Sequence, residues 1–185
     1  MKLKKLRKST IRKIVILFIG LLLIIFDQIL KIVLINKNQT LIPNLLNINY
    51  SQNTGIAFGA LSSDLMLIMV ITVVILGFIL KLMVHYFNEK RYVYSTSLML
   101  VFAGGFSNLL DRFLRGYVID YLEIKVFSFP IFNFADILVT IGVLLLFILI
   151  IHDLIVPERK RKAKKLNKLK KKELKENEVK NNKNS

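Results

Sequence analysis

Four apolar stretches, each with its charges near the ends, limit what this chain can fold into. A helix needs about 20 predominantly apolar residues to cross the hydrocarbon of a bilayer, and with no water there every backbone polar group must be satisfied internally. Residues 14–35 are apolar except for Asp27, Gln28 and Lys31; residues 65–84 carry only Lys81 near one end. Residues 95–114 are the least apolar, because Gly104, Gly105, Ser107, Asn108, Asp111 and Arg112 crowd their second half. Residues 131–156 form the longest stretch, with Asp136 near the start and His152 and Asp153 near the finish. An all-α membrane protein of four transmembrane helices is the expected class, and 54% hydrophobic residues with a mean hydropathy of +0.54 suit a small bundle in lipid.

The formal charge of +16 would point to nucleic acid if it covered a soluble surface. Its location says otherwise. Residues 1–13 hold seven Lys or Arg and no acid, and residues 158–185 hold thirteen bases and four acids, which leaves eight bases and eight acids between them. Two basic flanks around a neutral, apolar middle fit cytoplasmic ends of a membrane protein. The organisation expected is a basic N-terminal tail over 1–13, a four-span domain over 14–156, and a Lys-rich tail over 157–185 that is disordered or a fraying helix against anionic lipid. The first span lacks a small-residue cleavage site and is too long for a signal-peptide core, so it is expected to be retained.

With both tails inside, the linker 85–94, with Lys90 and Arg91, falls on the same side, and the loops 36–64 and 115–130 face outward. Both loops have strand character, at 45–50 and 117–129, and a small extended platform on the membrane surface is expected from them. The partners implied are membrane lipids, with no nucleic acid and a monomer as the expected unit. Zero cysteines exclude disulfides and thiolate chemistry. His85 and His152 fall on the cytoplasmic side, so neither a metal nor a cofactor is expected.

An ionised side chain at mid-bilayer costs roughly 2.5–3.5 kcal/mol on insertion scales, so each intramembrane charge needs a partner or a purpose. In this topology most gather on the outer side: Asp27 and Lys31 in span one, Asn108, Asp111, Arg112 and Arg115 in span three, Asp136 at the start of span four, and Asp120 in the outer loop. Asp27 and Lys31 stand at i, i+4, where opposite charges meet, and either a structural ion pair or a substrate contact fits. For Asp111 and Arg112 a clasp between helices, or from helix to loop, is the favoured role.

Asp120 and Asp136 have no basic residue at helical spacing to neutralise them. Glu123 and Lys125 lie near Asp120, but in an extended segment they point to the opposite face. A catalytic pair, ion binding and loop capping all remain open on the residues alone. Amide hydrolysis without a metal or a covalent intermediate needs a base to activate water and an acid to protonate the carbonyl oxygen and the leaving amine. Two adjacent carboxyls that hold one proton between them supply both. A small transporter would also use paired carboxylates, although nothing polar continues through span two; a noncatalytic anchor or assembly factor leaves the cost of the two acids unexplained.

Five ordered signatures over roughly 14–150 resemble the bacterial lipoprotein signal peptidases, signal peptidase II: Asp27-Gln28 with Lys31; Asn53-Thr54-Gly55-Ile56-Ala57-Phe58; Asn108 with Asp111-Arg112; Gly116 with Val118 and Asp120; and Phe132-Asn133-Phe134-Ala135-Asp136. The resemblance implies a metal-independent aspartyl peptidase of the bacterial cytoplasmic membrane that removes signal peptides from diacylglyceryl-modified prolipoproteins, cutting before the lipidated cysteine. By motif position Asp120 and Asp136 match the catalytic pair. Asn53, Asn108, Arg112 and Asn133 match polar residues lining the site, with Gly55 and Asp111 in the same signatures, and Asp27 with Lys31 match its support. Four helices with an extended cradle outside are the implied fold. One departure stands out: the family usually has Gly before the span-three Asn, where this chain has Ser107.

Overall fold

The computed structural model describes residues 2–55, 64–126 and 129–156, with side chains from residue 8 onward. Ile56-Ala57-Phe58 of the second signature and the Lys-rich tail over 157–185 lie outside the described residues. The chain divides into two compact units, Met1–Leu146 and Phe147–Ser185. The second is described only over its first ten residues, which are helical and carry His152 beside Asp153 at 3.4 Å.

The element order is α1 (Lys2–Leu34), β1 (Asn38–Ile42), β2 (Leu46–Asn53), α2 (Leu65–Asn88), α3 (Tyr92–Arg115), β3 (Val118–Ile124) and α4 (Phe134–Val156). All four helices contain a stretch long and apolar enough to cross a membrane: Lys8–Leu34, Leu65–Asn88, Tyr92–Arg115 and Phe134–Val156. α1 begins at Lys2, so the basic N-terminal residues are helical as well, since nothing in Lys2–Lys13 breaks helical hydrogen bonding.

The expected start of the last span at 131 is displaced by three residues. Phe132 exchanges backbone hydrogen bonds with Leu122, at 3.0 and 2.8 Å, and so belongs to the edge of the sheet. Asn133 then caps the helix: its Oδ1 accepts from the Asp136 N–H at 3.0 Å while Asp136 Oδ2 accepts from the Asn133 N–H at 3.0 Å. This reciprocal pair satisfies two amide donors at the helix start that would otherwise lack partners.

α3 is the hub of the first unit and the most buried of the four spans. Its low hydropathy has this cause: the polar residues of its second half turn inward, toward α1 and α4. Gly104 and Gly142 set the approach of α3 and α4, since a Cβ at Gly104 would lie 2.3 Å from the Ala135 carbonyl oxygen and one at Gly142 would lie 2.7 Å from that of Ser97. Small residues at such a crossing let two backbones meet where lipid gives no hydrophobic drive to association. Leu76, Ile79, Met83, Leu98, Met99, Ala103 and Leu138 form the buried apolar core. At the end where α2 meets α3, Arg91 lies 4.0 Å over the Tyr94 ring and Arg12 5.2 Å over Tyr92, cations on aromatic faces as at a membrane interface.

At the opposite end, β1, β2 and β3 form one antiparallel sheet in that order. β2 carries a bulge between Ile48 and Ser51, after which Ser51, Gln52 and Asn53 pair with Asp120, Ile119 and Val118. Ile48, Ile119 and Tyr121 anchor the sheet on Leu30, Leu34 and Phe134. α3 ends on Gly116, whose φ of 81° is a left-handed cap that costs a glycine little and turns the chain into β3.

Candidate active site

Below the sheet lies a buried ionic network. The ammonium of Lys31 is fully enclosed and meets three acceptors: Asp27 Oδ2 at 2.8 Å, Asp111 Oδ2 at 2.9 Å and Asn108 Oδ1 at 2.7 Å. Asp27 accepts in addition from the Ser107 hydroxyl at 2.6 Å and from the Ala135 N–H at 2.9 Å, and so ties α1 to α3 and α4. Asp111 accepts from Gln28, from Arg115 and from the Ile119 N–H at 3.2 Å, which clamps β3 to the helix. Every oxygen of these two acids is occupied, as buried charges require.

Asp120 and Asp136 are held differently. Among the described residues neither forms an ion pair, and their hydrogen-bond donors are amides. Asp120 Oδ2 accepts from Asn53 Nδ2 at 2.9 Å and its Oδ1 from Asn133 Nδ2 at 2.6 Å. Asp136 accepts from Asn108 Nδ2 at 2.8 Å on Oδ1 and from the helix cap on Oδ2. Asn133 therefore touches both acids, donating to one from its side chain and to the other from its backbone. Lys31 fixes the other bridge: because it holds Asn108 Oδ1, the amide must present its N–H groups to Asp136. Asn133 Nδ2 reaches the same Asn108 Oδ1 at 3.1 Å, so the two amides are linked as well.

Both carboxylates open onto one cavity of about 440 Å3. Asn53, Asn108 and Arg112 supply its polar wall, and Val118, Ile131, Phe132 and Val139 much of its apolar one. Arg112 donates to the Gly55 carbonyl at 2.6 Å, anchoring the chain beyond β2 to α3. Asp120 is 3% exposed and lies outside the membrane-spanning segments. Burial pushes its carboxyl up to about 6; the charge of Asp136 adds to the rise, and the hydrogen bonds from Asn53 and Asn133 oppose it.

All ten residues singled out from the sequence thus fall in this one region, in two groups: Asp27, Lys31 and Asp111 in the ionic network, and Asn53, Gly55, Asn108, Arg112, Asp120, Asn133 and Asp136 around the cavity. Gln28 stands in the first signature with no role assigned from the sequence; it donates to Ser107 Oγ at 2.9 Å and to Asp111 Oδ1 at 3.0 Å. Its position beside Asp27 inside an apolar stretch was the available signal. Among the described residues no three His, Cys, Asp or Glu side chains converge as a metal site would require.

A family model described as "Signal peptidase (SPase) II" matches residues 19–152. A lipoprotein signal peptidase of Staphylococcus carnosus is 37% identical over 156 residues, covering 80% of this chain and 94% of its own length. That of Staphylococcus haemolyticus is 36% identical over 146 residues, covering 74% and 90%. Among solved structures, a bacterial membrane enzyme determined by the in meso method at 2.3 Å resolution superposes with a TM-score of 0.68 at 32% identity, covering 76% of this chain and 90% of its own. A second, determined at 1.9 Å, gives 0.65 at 33% identity, covering 75% and 94%.

Proposed function

As the chain belongs to the signal peptidase II family, and is therefore a multi-pass membrane protease with lipoprotein precursors as its substrates, we propose that it cuts diacylglyceryl-modified prolipoproteins just before the modified cysteine, using Asp120 and Asp136 as an acid–base pair. The observation that carries this reading is that two carboxylates with amide partners only, one of them raised to about 6, face a single cavity.

A carboxyl with a pKa near 6 makes Asp120 the member of the pair that takes up the shared proton, which it carries as pH falls to about that value. Asp136, at the third position of α4, then acts as the base. It takes a proton from water as the water oxygen bonds to the scissile carbonyl carbon, while Asp120 gives its proton to the carbonyl oxygen. Collapse of the resulting gem-diol returns a hydroxyl proton to Asp120, breaks the C–N bond, and passes the proton on Asp136 to the leaving amine. Both carboxyls finish as they began. Asn53, Asn108 and Asn133 hold the carboxylates in place without neutralising them. Arg112, with its guanidinium on the same cavity, favours negative charge developing there.

The tail charges support a topology with both termini in the cytoplasm and the sheet and cavity at the outer face of the bacterial cytoplasmic membrane. Purified chain in lipid should release the signal peptide from a lipid-modified precursor, with the cut before the modified cysteine and no loss in chelators or thiol reagents. Activity abolished by a chelator and restored by one metal would replace the acid–base pair with a carboxylate-held ion. No cleavage at all, or a cut elsewhere, would remove the substrate assignment.

A further inference from the structure

A second hollow, of about 300 Å3, adjoins Asp120. Ser51, Gln52, Asn53, Thr54 and Gly55 line it together with Pro130 and Ile131. Asn53, Asp120, Pro130 and Ile131 are shared with the larger cavity, so the two meet at the Asp120 carboxylate. Their walls differ in kind. The larger cavity descends among the spans, past Thr72, Gly105, Val139 and Thr140. The smaller takes none of its described lining from a span; the end of β2 and the two residues after it supply hydroxyl, amide and backbone groups, and Pro130 and Ile131 an apolar side.

Two features show that the smaller hollow is ready to receive a polypeptide. Ser51 pairs with Asp120 across the sheet, so their side chains share a face, and the Ser51 hydroxyl makes no hydrogen bond among the described residues. Backbone bonding on the β1 side of β2 ends with the Tyr50 N–H on the Lys37 carbonyl at 3.2 Å, so Ser51, Gln52 and Asn53 have β3 on one side and no strand on the other among the described residues. An extended segment laid there would gain backbone hydrogen bonds from the sheet edge. An apolar signal segment lodged among the spans must, on passing Asp120, leave toward water, and the polar hollow is where it emerges.

We propose, on the strength of the function given above, that this hollow is the subsite for the residues directly after the lipid-modified cysteine, with Ser51 and Thr54 as contacts that set preference there. Thr54 is exposed and makes no hydrogen bond among the described residues, so its side chain can be changed without disturbing packing. The test uses the full chain in lipid and two lipid-modified precursors that differ only in having Asp or Lys directly after the cysteine. The measured quantity is the ratio of kcat/KM, Asp over Lys. Thr54→Lys should raise that ratio about fivefold to tenfold and Thr54→Glu lower it as much, since 1.4 kcal/mol is a factor of ten and a close charge pair near a protein surface supplies that order. The same Asp or Lys exchange placed before the signal segment should give a ratio that neither variant moves.

If wild type cuts both precursors and the ratio stays within twofold across the variants, the subsite is wrong while the function stands. Should wild type cut neither, the function itself falls and takes the subsite with it.

Discussion

Two pairs of aspartates share one end of this molecule and are built in opposite ways. Asp27 and Asp111 close on one ammonium, that of Lys31, with the guanidinium of Arg115 on the second of them; no oxygen is left without a donor. Asp120 and Asp136 meet only amides and the backbone of a helix start, and they open onto a cavity. A cation partner makes a buried acid into a joint between helices. Amide partners fix an acid's position just as firmly, yet at Asp120 they offset only part of the rise that burial and the neighbouring acid impose on its proton affinity. The two groups are in contact through Asn108, whose oxygen belongs to Lys31 and whose nitrogen belongs to Asp136.

The largest effect expected from that contrast is on turnover. Asp136→Asn removes a proton acceptor while keeping the shape of the side chain, so cleavage of a lipid-modified precursor should fall by about 10^3-fold or more, with the variant still recovered folded from membranes. Lys31→Met leaves two buried carboxylates without their shared cation. Removing one partner of a buried pair costs about 3–5 kcal/mol, and thermal unfolding in detergent should show the drop; an unchanged melting temperature would mean that the network is not what joins the helices.

Ser107→Gly restores the residue usual in the family and deletes one charge-assisted hydrogen bond to Asp27. A loss of about 1–3 kcal/mol is expected, with kcat nearly constant. The smallest effect belongs to Asn53→Ala. Its hydrogen bond favours the charged form of Asp120, so removing it raises that pKa further, and the limb on which activity falls with rising pH should move upward. A downward move would show that Asp120 is not the group titrating on that limb.

The helices were legible because apolar runs of this length have few other uses, and the Asp27–Lys31 contact because i, i+4 spacing brings the two ends together in any helix. The capping box at Asn133 and Asp136 is equally local, but the apolar Ile131 and Phe132 before it read as helix until Leu122 is seen to draw Phe132 into the sheet. β1 is not legible as a separate strand, because Asn38–Ile42 is exposed at every position and so shows no alternation of polarity. β2 runs three residues beyond the expected strand at 45–50, since Ser51, Gln52 and Asn53 are held by β3 across a bulge that no local pattern announces. Gln28 and Ser107 act on partners about eighty positions away. Their roles exist only once α1 and α3 are packed. For Asp120 and Asp136 spacing left several uses open, and the five ordered signatures pointed to catalysis.

Asp120→Asn, followed by both cleavage and melting at pH 7.5, tests the division between the two pairs most directly. Because its pKa rises from 3.8 to about 6 on folding, the native state binds this proton more tightly than the unfolded chain. The group therefore weakens the fold progressively as pH rises through that window, and in full above it. The expected result is a protein with no detectable cleavage that melts no lower than wild type, whereas Asp111→Asn melts well below it. An Asp120→Asn variant that cleaves the lipid-modified precursor at the wild-type rate would contradict the assignment of Asp120 to the chemistry.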